Sequence, residues 1–344
     1  MSVIIHPIAI FPEGTRKRML WPLFVLIVAM LLCAFLVQFM MHVGVMDIPG
    51  HRSSHDRPIP KGGGVGIVTA FALGLPILRA AVGLPPLTSE TLCLLCGTVF
   101  LAVVSWLDDM YSFPARHKLL AQAVASCLIL GAAGWIGSSM WHLAIPGLIW
   151  LLYITNATNF IDGINGLASG SLMIASAVLG LVFLAHHDTA SALPAVMLAA
   201  CLLAFLPFNF PRASIFMGDV GSQGAGLVMG WMGLVALDTL SEPLLVPMLM
   251  SGILYDVAFT LVRRAIAGAR LSQAHRSHLY QLAVRSGSSP ILVTTLYWCF
   301  VVWGGIVAWS GSTTSVAIVA IMVPQIIWTV VTIHRARQLI SQPW

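Results

Sequence analysis

Long apolar runs alternate with short polar segments along the whole chain. A helix needs about 20 mostly apolar residues to cross a bilayer. By that measure the pattern predicts spans at 20–41, 64–83, 91–107, 119–137, 143–158, 167–185, 192–208, 222–237, 243–262, 290–309 and 315–333. The expected fold is an all-α polytopic membrane bundle of about 11 transmembrane helices, because only helices satisfy their own backbone groups in hydrocarbon. The runs at 143–158 and 222–237 are short and carry polar or glycine residues at one end. No intervening segment accommodates a soluble domain and no internal repeat is present, so residues 1–344 read as one integral membrane domain.

Composition agrees. Apolar residues make up 58% of the chain and charged residues 8%, with mean hydropathy +0.93, whereas soluble domains carry about 25% charged residues. The net charge of +5 does not indicate nucleic acid. The basic residues are dispersed beside the spans, where the anionic headgroups of the lipid bilayer attract them. Cys33, Cys93, Cys96, Cys127, Cys201 and Cys299 all fall in apolar runs and read as small packing groups. The CxxC of Cys93 and Cys96 has no second pair, and no disulfide framework is indicated. The opening "RKRMLWPLFVLIVAMLLCAFLVQF" exceeds a signal peptide's apolar length and lacks its cleavage site, so it reads as a retained first span.

An odd number of spans places the termini on opposite sides. With the C-terminus inside, every basic residue except Arg16, Lys17, Arg18 and Arg79 lies in a cytoplasmic segment, as the positive-inside rule requires. The Arg16–Arg18 cluster argues the other way. The N-out, C-in topology puts the polar-rich segments at about 47–64, 108–118, 156–167, 208–222 and 263–281 on one face, while loops such as "GSSMWH" and "SGSTTS" opposite are bland. One-sided chemistry suits an enzyme at a membrane surface. A transporter, the rival reading, needs ionisable groups along a path. Asp256 is the one acidic candidate for such a path; with Arg263 seven residues on, a helix-surface ion pair or a place in the site wall accounts for it.

The carboxylates carry the candidate chemistry. Asp108 and Asp109 end the third span, Asp162 follows the fifth, and Asp219 precedes the eighth, with Asn156, Asn159 and Asn165 beside them. An aspartate pair alone is equally a solvated helix end. Four carboxylates on one face, with no Cys/His pattern, suit a hard cation such as Mg²⁺, which keeps some water and binds phosphate oxygens. Lys118, His275, Arg276 and His278 bring positive charge to the same face, a recurrent complement in phosphoryl transfer. The segment holding the last three also reads as a basic loop on lipid headgroups. "KGGGVG", from Lys61 to Gly66, fits either close approach to a phosphate or close helix packing. "MGDVGS" sets Asp219 between glycines at a helix start, and Asn156 reads as a packing or capping residue.

In order, "RPIPKGGG", "DD…RHK", "NATNFIDGINGL", "FMGDVGS" and "HRSHLYQ" resemble the polyprenyl-phosphate N-acetylhexosamine-1-phosphate transferases, relatives of phospho-N-acetylmuramoyl-pentapeptide transferase. The stretches extend from about residue 52 to 281. Each is modestly specific; five in sequence are very specific. "HRSSHDRPIPKGGG" and "HRSHLYQ" are more similar to the bacterial O-antigen-initiating branch than to the cell-wall branch. The resemblance implies transfer of a sugar 1-phosphate from a UDP-N-acetylhexosamine to undecaprenyl phosphate, with release of UMP and with Mg²⁺ or Mn²⁺. It also implies the bacterial cytoplasmic membrane, with the site facing the cytoplasm. Position by position, Asp219 matches a metal-binding aspartate and Asn159 a second ligand. Asp108 and Asp109 match paired aspartates that act as base or as support of the metal site. Lys118 matches a lysine on the phosphates, Phe216 an aromatic that stacks on uracil, and Asn165 the position that hydrogen-bonds the base. Asp162, His275 and His278 join the catalytic candidates, and Lys61 and Arg276 the substrate-binding ones. There are departures: Asn165 stands where cell-wall relatives have Asp, and "HRSHLYQ" replaces a triple-His run, leaving His275, Arg276 and His278 without individual roles. UDP-GlcNAc, UDP-FucNAc and UDP-QuiNAc all remain open as donors, and the oligomeric state is not encoded in any motif.

Overall fold

The computed structural model describes residues 13–48, 57–136, 141–270, 273 and 275–340, with side chains from residue 20 onward. The "HRSSHD" part of the first polar segment lies outside the described residues. In chain order the elements are α1 (Glu13–Val43), β1 (Met46–Asp47), β2 (Ile59–Pro60), α2 (Gly63–Ala81), α3 (Ser89–Tyr111), α4 (Ala115–Ala132) and α5 (Trp141–Ile161). There follow α6 (Leu167–Ala185), α7 (Thr189–Asn209), α8 (Gly218–Leu240), α9 (Leu245–Leu249), α10 (Ser251–Ile266), α11 (Leu279–Arg285), α12 (Pro290–Trp309) and α13 (Thr314–Leu339).

Among the described residues, 9 helices are long and apolar enough to cross a membrane. The two other predicted spans are helical but different in kind. α4 spends its first turn on Arg116, His117 and Lys118. The run at 243–262 is broken at Met250 into α9 and the 16-residue α10, which at 1.5 Å per residue falls short of an apolar core about 30 Å thick. Gly304 of α12 packs so closely on the Met248 carbonyl that an added Cβ would overlap it, and Pro247 removes a donor from the same turn.

α8 is the mast of the bundle: 89% of its most apolar window is buried inside the protein, against 22% for α1 and for α13. It packs on α2, α3 and α5. Gly226 and Gly230 let α5 approach closely at Thr155 and Ile154, the small-residue packing expected where lipid supplies no hydrophobic drive between helices. α1 and α13 turn large apolar side chains such as Phe35, Leu31, Val319 and Val330 outward.

Successive helices alternate in direction, so the N-termini of α2, α4, α6 and α8 meet the C-termini of α3, α5 and α7 at one end. The expected clustering of polar segments on one face follows from this. Two-residue strands β1 and β2 pair antiparallel there, Met46 opposite Pro60 and Asp47 opposite Ile59.

Candidate active site

Asp219 is the hub. Gly218 adopts φ +70°, a left-handed conformation that glycine reaches without strain, and so sets Asp219 in the first turn of α8. Asp219 Oδ1 accepts from Asn159 Nδ2 at 2.9 Å, near the end of α5. Its Oδ2 accepts from Lys118 Nζ at 3.1 Å and Gln223 Nε2 at 3.2 Å. Asn159 Nδ2 also donates to Ser222 Oγ at 3.0 Å. Lys118 forms a second ion pair, with Asp108, which is 6% exposed and accepts from the Phe113 backbone N–H at 2.7 Å. One lysine thus joins the ends of α3 and α8.

Asp109 faces the other way. Lys61 Nζ lies 3.9 Å from Asp109 Oδ1 and 3.4 Å from Asp47 Oδ1. Asp109 Oδ2 is buried without any hydrogen-bond partner. Asp162, just beyond α5, has its carboxyl pushed up to about 7, chiefly by desolvation in the wall of the site and then by the charges of Asp219 and Asp109; Lys61 opposes the shift. Four carboxylates therefore converge on two lysines. Among the described residues no three Asp, Glu, His or Cys side chains close into a metal shell by themselves.

Beneath this layer runs a polar relay that the motifs do not reveal. Gln122 and Asn156 exchange side-chain hydrogen bonds at 3.2 and 2.6 Å, and Gln122 donates to Gln223 at 3.0 Å. Asn156 is accordingly a packing residue that braces α4 and α5 below the site. Asn209 Oδ1 accepts from the Gly166 N–H and Ser169 Oγ, each at 2.9 Å, while its Nδ2 donates to the Ile215 carbonyl at 3.2 Å. It ties the end of α7 to the start of α6 and to the loop before α8. The available signal was polar side chains within apolar spans.

The glycine run beside Lys61 serves packing. Gly63 and Gly64 donate to the Phe216 and Met217 carbonyls at 3.0 and 2.9 Å, and a Cβ on Gly64 would overlap the Gly221 backbone. Phe216 N–H donates to the Pro60 carbonyl at 2.9 Å, so Phe216 is held against the Lys61 strand. Asn165 is placed separately: its Nδ2 donates to the Pro211 carbonyl at 3.2 Å and its carbonyl accepts from Thr294 Oγ1 at 2.9 Å.

The expected ion pair between Asp256 and Arg263 is replaced by a different arrangement. Arg263 Nη2 donates to the Ser277 carbonyl at 2.7 Å. Asp256, 0% exposed, collects donors from the last loop instead. His278 Nδ1 stands 3.2 Å from Oδ1, which also accepts from the Leu279 N–H at 2.8 Å and Thr260 Oγ1 at 3.2 Å. Oδ2 accepts from the Tyr280 N–H at 3.0 Å and Tyr297 Oη at 2.5 Å. A buried carboxylate surrounded by donors pins the start of α11. His278 then packs against Phe160, ring centroids 6.0 Å apart, and Tyr280 Oη donates to the Phe160 carbonyl at 3.1 Å. This docks the histidine loop on the Asn159–Asp162 turn. The His275 ring packs tilted against His278, centroids 5.0 Å apart, and contacts Ser277 Oγ at 3.0 Å. Burial, then His278, Arg264 and Arg263, push its pKa down to about 4. The Arg276 carbonyl accepts from Arg285 Nη1 at 2.8 Å.

Of the sequence candidates, Asp108, Lys118, Asn159 and Asp219 form one contiguous network, with Asp109 and Lys61 against it and Asp162 within its field. His278 borders it through Phe160. Asn165, Phe216, His275 and Arg276 occupy the surrounding loops, each held by its own contacts.

Residues 91–237 match the family described as glycosyl transferase family 4. The chain is 30% identical to phospho-N-acetylmuramoyl-pentapeptide-transferase of Moorella thermoacetica, over 71% of this chain and 81% of the relative. It is 28% identical to a probable undecaprenyl-phosphate N-acetylglucosaminyl 1-phosphate transferase of Bacillus subtilis, over 72% of each. It is 29% identical to decaprenyl-phosphate N-acetylglucosaminephosphotransferase of Mycobacterium tuberculosis, over 78% of this chain and 76% of the relative.

Proposed function

The chain belongs to glycosyl transferase family 4, and from that premise we propose that it transfers an N-acetylhexosamine 1-phosphate from a UDP-sugar to undecaprenyl phosphate, releasing UMP. The observation that carries the reading is Lys118 bridging Asp108 and Asp219, at the end of the bundle where nucleotide and lipid phosphate can meet. A phosphate oxygen of the acceptor attacks the sugar-bearing phosphorus. The bond from that phosphorus to the bridging oxygen breaks, and UMP leaves with the electron pair. One phosphoanhydride replaces another, so no external energy source is needed.

The donor set fits a hard divalent cation, Mg²⁺ or Mn²⁺: all-oxygen ligands, an orphaned buried Asp109 Oδ2, and an Asp162 carboxyl whose charge is disfavoured first by burial and then by its acidic neighbours Asp219 and Asp109. Asp219 and Asn159 would hold it, with water and phosphate oxygens completing the shell. When bound, such a cation neutralises charge on the pyrophosphate and the departing UMP. Lys118 supplies a mobile ammonium to the same phosphates. Asp109, with one oxygen uncommitted where Asp108 has both engaged, receives any proton left on the acceptor phosphate. Phe216 and Asn165 receive the uracil. Asp256 and His278 hold the histidine loop over the sugar side.

Two of the three relatives are named for N-acetylglucosamine and one for N-acetylmuramoyl-pentapeptide, all from bacteria; with the branch-like motifs we favour N-acetylglucosamine, a bacterial membrane, and initiation of O-antigen or a similar surface polysaccharide. The site then faces the cytoplasm, where UDP-sugars are made. The test is UMP release by purified protein with undecaprenyl phosphate, Mg²⁺ and a panel of UDP-GlcNAc, UDP-FucNAc and UDP-QuiNAc. Acceptor-dependent UMP from UDP-GlcNAc supports the reading. No turnover with any donor by a folded protein overturns it.

A further inference from the structure

At the end of the bundle opposite the carboxylates, a cavity of about 290 Å³ opens between the last turns of α2 and α8 and the first turns of α3 and α7. Arg79 lines it and is 6% exposed. Its Nε donates to the Pro85 carbonyl at 2.9 Å. Its two Nη groups have neither a hydrogen-bond nor an ion-pair partner among the described residues. The guanidinium lines the cavity, and its planar fork of donors matches a phosphate or carboxylate. The first turns of α3 and α7 border the same space, and the positive ends of their dipoles add to the attraction for an anion.

The mouth has the opposite sign. Glu90 and Asp238 also line the cavity, both exposed and neither within ion-pair distance of Arg79. A simple anion would be repelled there; a zwitterion with its anionic group inward and its cation at the mouth satisfies both. Trp135 and Trp231 form the walls, and the exposed apolar side chains of Leu87, Leu92 and Leu237 lie beside the lining residues in sequence. Both tryptophans are buried, so the membrane level is marked instead by the exposed leucines beside the polar opening at one end of a membrane-spanning bundle.

We propose that this cavity binds the phosphoethanolamine headgroup of a phospholipid, the phosphate on Arg79 and the ammonium between Glu90 and Asp238, in the leaflet opposite the carboxylate site. The site is separate from the proposed transfer chemistry, and its test does not depend on turnover. Native mass spectrometry of the full chain, released from nanodiscs containing equal phosphatidylethanolamine and phosphatidylglycerol, reads the retained lipid directly. The expected result is one phosphatidylethanolamine retained at least about tenfold over phosphatidylglycerol, with Arg79→Gln losing that adduct. Glu90→Gln combined with Asp238→Asn, both at exposed positions, is expected to move retention toward phosphatidylglycerol and serves if Arg79→Gln does not fold. Water-soluble phosphoethanolamine at millimolar concentration is expected to leave the lipid adduct in place; its displacing the lipid would overturn a lipid source. Equal retention of the two lipids by the unmodified chain, or an unchanged adduct in a folded Arg79→Gln, would overturn the site itself.

Discussion

Replacing Asp256 by asparagine changes one atom of a buried side chain more than 20 positions from the loop it holds. All five groups around the carboxylate are donors: His278 Nδ1, the Leu279 and Tyr280 N–H groups, Thr260 Oγ1 and Tyr297 Oη. An asparagine offers one acceptor oxygen and points an NH₂ at the rest. His278, Thr260 and Tyr297 can reorient or change tautomer, but a backbone N–H cannot, so whichever way the amide turns, Leu279 or Tyr280 keeps an unpaired buried donor. That orphan costs about 1–3 kcal/mol, and downgrading the remaining charge-assisted bonds about 1 kcal/mol more for each. Two or three such bonds remain, depending on which way the amide turns, so the total is about 3–6 kcal/mol, overlapping the range for breaking a buried ion pair. If the loss falls on docking of the 275–280 loop against Phe160, kcat/KM drops by about 10²-fold or more. UMP release measured beside a thermal melt reads both effects, and His278→Ala made in the same background should add little, since the two residues act as one unit. Unaltered kcat/KM and an unaltered melt for Asp256→Asn would refute this account of the loop.

The other predictions are simpler. Asp219→Ala should abolish UMP release while leaving the melt close to that of the unmodified chain, because it sits at a wet helix start. Lys118→Gln should lower turnover at least about 10²-fold by removing the cation shared by Asp108 and Asp219. Gly64→Val should destabilise the bundle by about 1–3 kcal/mol or more through overlap with the Gly221 backbone, read as loss of monodisperse protein. Cys93→Ala should change neither activity nor melt. For pH, the Asp162 carboxyl binds its proton more tightly folded, near 7, than unfolded, near 3.8. Its contribution to stability is full below about 3.8 and is lost as pH rises through 7. In chelator, the melt should be higher at pH 5 than at pH 8, and Asp162→Asn should flatten that difference.

How much of this was legible beforehand depends on which force set each feature. α6 and α12 occupy the ranges that the apolar pattern predicts, since burial of a whole run and a clear break, Gly166 before one and Ser289–Pro290 at the other, coincide. The interruption at Met250 was not legible. Pro247, Ser251 and Gly252 lie at the break but are common in membrane helices and did not interrupt the apolar count, and the break coincides with a contact from Gly304, more than 50 residues away in sequence. In the site, Asp108, Lys118, Asn159 and Asp219 were recoverable from motif order, although the 101 residues separating Lys118 from Asp219 hide their contact. Gln122, Asn209 and Gln223 belong to no motif and were missed, while Asp256, expected in an ion pair with Arg263 or in the site wall, takes its hydrogen bonds from the last loop instead. A seven-residue helical spacing pointed to Arg263; the loop's many donors determined the outcome.

The most direct measurement follows the phosphorus. UDP-GlcNAc labelled at the sugar-bearing phosphate is mixed with purified protein, Mg²⁺ and undecaprenyl phosphate, then extracted into butanol. Direct displacement predicts label in the lipid phase in step with UMP, none without acceptor, and none with Asp219→Ala. Label bound covalently to the protein when acceptor is withheld would contradict the single displacement, and label transfer at the unmodified rate by Asp219→Ala would contradict the site.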